Sequence, residues 1–86
     1  MKLKKGFVLR EVAGETVVVP VEAELNFNGM ITLNDSAKTL WRALENETTT
    51  EDLVKALCSE FDVDEATAQS DVELFIQKMK GLDFLE

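Results

Sequence analysis

Histidine and tyrosine are missing from this 86-residue chain, and cysteine, proline and tryptophan occur once each. Without histidine the commonest general base is gone, and with it every histidine-dependent triad and most zinc sites. The lone cysteine, Cys58, rules out an internal disulfide framework and suits a reducing compartment. There is no cysteine pair, no P-loop and no G-x-G-x-x-G. No apolar run approaches the roughly 20 residues that span a bilayer. The N-terminus is basic but lacks the apolar stretch of a signal peptide, so a cytoplasmic protein with no membrane partner is expected.

Basic residues are scarce as well, 9 against 17 acidic ones, for a formal net charge of −8. Lys2, Lys4, Lys5 and Arg10 crowd the first strand and its approach, which leaves the remainder more acidic still. Such a body is a poor partner for nucleic acid, whose phosphates are bound by Lys and Arg. The carboxylates sit mainly at helix starts and on exposed faces, where solvation explains them. No sizeable apolar pocket is evident to tune one for acid–base work, so catalysis is not expected. Neither a cofactor nor a metal is called for. What remains is a binding protein.

Hydrophobic residues make up 45% of the chain, enough for one folded domain over residues 1–86. Phe7–Val12 and Glu15–Val21 read as two strands joined by the turn Ala13-Gly14. The run Val17-Val18-Val19 does not alternate, which suggests cover on both faces, and Pro20 marks a strand end. Residues Glu22–Phe27 read as a connection. The central stretch follows: Asn28-Gly29 is a strong turn dipeptide, Met30–Leu33 a short third strand, and Asn34 a helix cap ahead of Asp35 and Ser36. Being the last strand before three helices, Met30–Leu33 is expected at a sheet edge, where open main-chain groups invite pairing.

From Asn34 the period becomes helical. Ala37, Leu40, Trp41 and Leu44 fall on one face of a helix reaching about Asn46, with Trp41 as its core anchor. Thr48-Thr49-Thr50-Glu51-Asp52 starts a second helix whose buried stripe is Leu53, Val54, Leu57, Cys58 and Phe61. Cys58 is accordingly expected as a small buried hydrophobe. Asp62-Val63-Asp64 has calcium-loop spacing, but Ala66 stands at the third ligand position, so Asp64 is better read as the cap of a third helix. That helix buries Ala68, Val72, Phe75, Ile76 and Met79, reaches about Lys80 and has Gly81 as its C-cap signal. Leu82, Phe84 and Leu85 fold back as a tail. Leu74 does not fit the buried face: it lies about 160° from Val72, beside Thr67, Asp71 and Lys78.

The order is thus α+β, a three-stranded antiparallel sheet followed by three helices, in the manner of a winged helix-turn-helix domain. Asn28-Gly29-Met30-Ile31-Thr32-Leu33-Asn34 leading into Leu40-Trp41, then Thr49-Thr50-Glu51-Asp52-Leu53, Phe61-Asp62-Val63-Asp64 and Asp71-Val72, resembles the PqqD-like family from Phe7 to Leu85. These are small recognition elements for ribosomally made peptide natural products. The resemblance implies a domain that holds the leader segment of a precursor peptide as an added antiparallel strand and delivers it to a modifying enzyme. Such an enzyme is a radical SAM enzyme, a cyclodehydratase or a lasso-type protease. It also implies the site: Met30, Ile31, Thr32 and Leu33 pair with the peptide, and Thr67, Asp71, Leu74, Phe75 and Lys78 form the cleft wall on the third helix. An open edge pairs with its own copy as readily as with a ligand, so a homodimer through it stays open.

Two rival readings use the same residues. A winged helix that binds DNA would use the third helix for recognition, but Asp71, Glu73 and the net charge oppose this. An acyl carrier protein is similarly small and acidic, and Asp35-Ser36 has the look of its modified serine. Ala37 replaces the leucine expected there, and the strand-rich first third does not suit a four-helix carrier.

Overall fold

The computed structural model describes residues 1–20 and 31–86. The Asn28-Gly29 turn, the connection at 22–27, Val21 and Met30 lie outside the described residues. Three strands precede three helices: β1 (Phe7–Val12), β2 (Glu15–Pro20), β3 (Ile31–Leu33), α1 (Asp35–Leu44), α2 (Thr50–Glu60) and α3 (Glu65–Gly81). The sheet order is β1-β2-β3, antiparallel throughout. The α+β expectation holds, and the three strands are incompatible with a four-helix carrier.

The β1–β2 hairpin turns on Ala13 and Gly14, with φ of 52° and 83°. Two successive positive φ values match the right-handed twist of the flanking strands, although only the glycine adopts its value without steric cost. Val17 and Val18 of β2 are both buried, so the central strand is covered on both faces as its unbroken valines suggest. Only Val18 joins the main core, where it meets Leu33 of β3 and the apolar stripes of the helices.

Each helix starts where its capping residue dictates. Asn34 Oδ1 accepts the Ala37 N–H at 2.8 Å, Thr49 Oγ1 that of Asp52 at 3.1 Å, and Asp64 Oδ1 that of Thr67 at 2.7 Å. Each satisfies a main-chain donor that has no partner inside its helix. Trp41, Leu40 and Leu44 of α1, Leu53 and Leu57 of α2, and Ala68, Val72 and Met79 of α3 are nearly inaccessible to solvent.

Three expectations need correction. Cys58 is exposed rather than buried. At 100° per residue it lies about 140° from Leu53, on the flank of a stripe centred on Leu53 and Leu57. The first helix ends at Leu44, two residues short of Asn46. Gly81 is the last residue of α3, and the left-handed residue is Asp83, at φ 61°. The Phe84 N–H donates to the Met79 carbonyl at 2.9 Å and the Asp83 N–H to that of Lys80 at 3.0 Å, which is a Schellman ending. It drives Phe84 into the core against Phe7 (ring centroids 4.3 Å) and Trp41 (6.1 Å, edge-on).

The N-terminus joins this corner, a feature the sequence does not announce. Leu3 is buried and bridges to Leu85, and its N–H donates to the Leu44 carbonyl at 2.8 Å. Lys4 Nζ lies 2.8 Å from the Asp83 carboxylate. Both chain ends are thereby fixed on one side of the molecule.

Candidate functional site

The third strand is short because it passes directly from an extended run into the Asn34 cap. Thr16 pairs with Leu33, Val17 with Thr32 and Val18 with Ile31. Leu33 turns into the core, Ile31 is half-buried and Thr32 faces solvent. Among the described residues β3 pairs with β2 alone, so its other edge carries main-chain donors and acceptors without a partner among the described residues. A strand in that state is a template for one more strand.

Close to the end of that edge lies a cleft of about 260 Å³ between α1 and α3. Asn34, Ser36, Ala37 and Leu40 form one wall, and Asp71, Leu74, Phe75 and Lys78 the other. The floor is apolar and belongs to the core, because Leu40 and Phe75 are buried. Leu74 stands at the rim, 63% exposed. Asp71 and Lys78 follow at helical spacing along the same face and place one charge of each sign at the mouth. The C-terminal tail does not line the cleft, since Phe84 is committed to Phe7 and Trp41.

Of the nine residues expected at the site, Asp71, Leu74, Phe75 and Lys78 come together in the cleft. Ile31, Thr32 and Leu33 form the open strand. Thr67 is exposed one turn before Asp71 and does not line the cleft, where its N–H serves the Asp64 cap. Met30 lies outside the described residues. The α1 wall is what sequence reading missed. Asn34, Ser36 and Ala37 carry a capping signal and one residue of the apolar stripe, and nothing in them marks a second use. The same Asn34 that caps α1 through its oxygen also lines the cleft, at the joint between strand and helix.

A second hollow meets the first at Asn34. It lies at the end of the sheet, between the hairpin turn and the start of α1. Glu11, Glu15 and Asp35 carry its negative charge, with Lys38 the one cation among the described residues that line it. Thr16, 8% exposed, lines the same hollow.

The family model described as coenzyme PQQ synthesis protein D (PqqD) matches residues 15–85. A search of curated proteins finds no match. Among solved structures, TbiB1 in complex with the TbiA(beta) leader peptide superposes with a TM-score of 0.75 at 24% identity, over 100% of this chain and 95% of TbiB1. Lasso peptide synthetase B1 complexed with the leader peptide superposes with a TM-score of 0.72 at 18% identity, over 96% of this chain and 93% of that one. At these identities the likeness is one of fold.

Proposed function

This chain belongs to the PqqD family, and from that premise we propose that it is a non-catalytic carrier for a leader peptide. It captures the leader segment of a ribosomally made precursor as a strand added to β3, and presents the precursor to a modifying enzyme. The observation that carries this reading is an edge of β3 that no described residue pairs with, beside a cleft with an apolar floor. Both structural neighbours hold a leader peptide, which supports the same use of the fold. The peptide-contacting residues are Ile31, Thr32 and Leu33 on the strand, Asp71, Leu74, Phe75 and Lys78 on α3, and Asn34 and Ala37 facing them. Met30 and Thr67 extend the two surfaces.

The magnitudes favour a transient carrier whose selectivity lies in the cleft. A three-residue edge offers few outward main-chain groups, each hydrogen bond contributing about 0.5–1.5 kcal/mol net. Two apolar side chains seated in the cleft contribute about 1.5–3 kcal/mol each. Ordering a flexible leader costs about 2–5 kcal/mol. Hydrogen bonding alone is therefore offset, and the cleft decides which leader stays. An affinity near micromolar, about −8 kcal/mol, is expected. Calorimetric titration with candidate leader peptides tests the proposal: saturable binding near that affinity supports it, and no heat from any of them at millimolar peptide contradicts it.

A further inference from the structure

Asp71 and Lys78 are the only charged side chains among the described residues that line the cleft between α1 and α3. The whole α1 wall is neutral, and so are Leu74 and Phe75 between the two charges. Their own helix gives neither of them a counter-charge. The neighbours of Asp71 one turn away are Thr67, Ala68, Leu74 and Phe75, and those of Lys78 are Leu74, Phe75, Gly81 and Leu82. The two lie about 10.5 Å apart along the helix axis, too far to pair with each other. The ion pairs among the described residues are Met1–Glu47 and Lys4–Asp83, both elsewhere. The cleft therefore presents one unmet charge of each sign over an apolar floor.

The spacing of the three exposed residues suits an extended chain. Asp71, Leu74 and Lys78 fall within about 60° of arc on α3, with Leu74, 63% exposed, between the charges. A strand turns every second side chain to the same face, about 6.6 Å apart, so three such side chains span about 13 Å. The helical triplet spans about 10.5 Å, and the flexible stem of Lys78 takes up the difference. We propose that the cleft reads a charge order on its peptide: a basic residue against Asp71, an apolar one on Leu74 and an acidic one against Lys78, at alternate positions of one extended segment. The inference rests on the strand-addition reading and adds to it a spacing and a charge rule. A peptide with the charges exchanged meets repulsion at both ends, with no neighbouring group to neutralise it, so the pair rejects as well as selects.

Selection from a displayed library of random dodecapeptides on the intact protein tests this. Recovered peptides are expected to carry a basic and an acidic residue at the two ends of a five-residue segment, with an apolar residue midway. Two synthetic copies of one such peptide, identical in composition, then carry the two charges in the selected and in the exchanged order. The wild type is expected to prefer the selected order about 5- to 20-fold at low salt, and less at high salt. On Asp71→Asn/Lys78→Gln the preference is expected to fall below about 2-fold, and on Asp71→Lys/Lys78→Asp to reverse. Both residues are exposed, and a cooperative thermal melt confirms that each variant folds. Recovered peptides without the pattern, equal affinity for the two orders on the wild type, or a preference that persists in the neutral variant overturns the charge rule. Strand addition stands in those cases if the same peptides shift the β3 amides. No recovered peptide, or recovered peptides that leave the β3 amides unperturbed, overturns both.

Discussion

Leu74 and Phe75 are consecutive residues of α3 on one wall of the cleft, Leu74 63% exposed at its rim and Phe75 8% exposed in its floor. One turns out to the rim and the other reaches into the core. The pair separates what binding needs from what folding needs. Leu74→Ala is expected to change stability by no more than about 0.5 kcal/mol, as a surface substitution. It is also expected to weaken leader binding about 10-fold, the equivalent of about 1.4 kcal/mol of lost burial. Phe75→Ala is expected to cost about 3–5 kcal/mol of stability in urea denaturation, besides weakening binding. Thr32→Ala, on the solvent face of β3, is expected to lower affinity less than about 3-fold. Calorimetry across the three variants checks the order, and equal losses at Leu74 and Thr32 contradict the cleft.

The cap of α3 carries a pH dependence of known sign. The Thr67 backbone N–H, and then its side chain, hold the Asp64 carboxyl below its ordinary 3.8. A folded-state pKa below the unfolded one gives stability that is complete above about pH 4 and lost as pH falls through the folded value. Asp64→Asn keeps an acceptor at the cap but removes the titration. Thermal melts from pH 7 to pH 2.5 are expected to show the wild type losing its advantage over Asp64→Asn in the acid range alone. A constant gap across that range contradicts the carboxylate's role.

Cys58 lies at the surface beside Val54, Lys55 and Gln69, in a hollow between α2 and α3. A thiol reagent is expected to label it fully in native buffer, at a rate close to that in denaturant. Cys58→Ser is expected to stay within about 0.5 kcal/mol of the wild type. Mass spectrometry of the labelled native protein checks this, and protection in the folded state contradicts it.

Ala13 holds a φ of 52° at the first turn position, where a Cβ is sterically costly. Asn-Gly is the preferred pair in such a turn. Ala13→Asn is therefore expected to raise stability by about 0.5–1 kcal/mol in urea denaturation. A decrease contradicts the assigned turn geometry.

The strands and helices were legible because their signals are local. Asn34, Thr49 and Asp64 cap where their side chains can reach the third amide along, and the α3 stripe from Ala68 to Met79 is buried throughout. Leu74 was readable as an outlier on the same periodicity. What failed depends on partners far along the chain. Leu3 hides among lysines and is buried only because Leu44 and Leu85 meet it. Cys58 shares the spacing of its stripe, but α3 covers only the part centred on Leu53 and Leu57. Asp83 takes the left-handed position beside an available glycine because Phe84 must reach Phe7 and Trp41. The α1 wall of the cleft exists only once α1 and α3 are placed side by side.

The open edge of β3 is tested most directly by titrating isotope-labelled protein with the leader peptide and following every amide. The amides of Ile31–Leu33 and of Asp71–Lys78 are expected to shift together along one saturation curve, with hydrogen exchange slowing at β3. Binding that shifts the α2–α3 hollow or the N-terminal corner and leaves Ile31–Leu33 unperturbed contradicts strand addition at this edge.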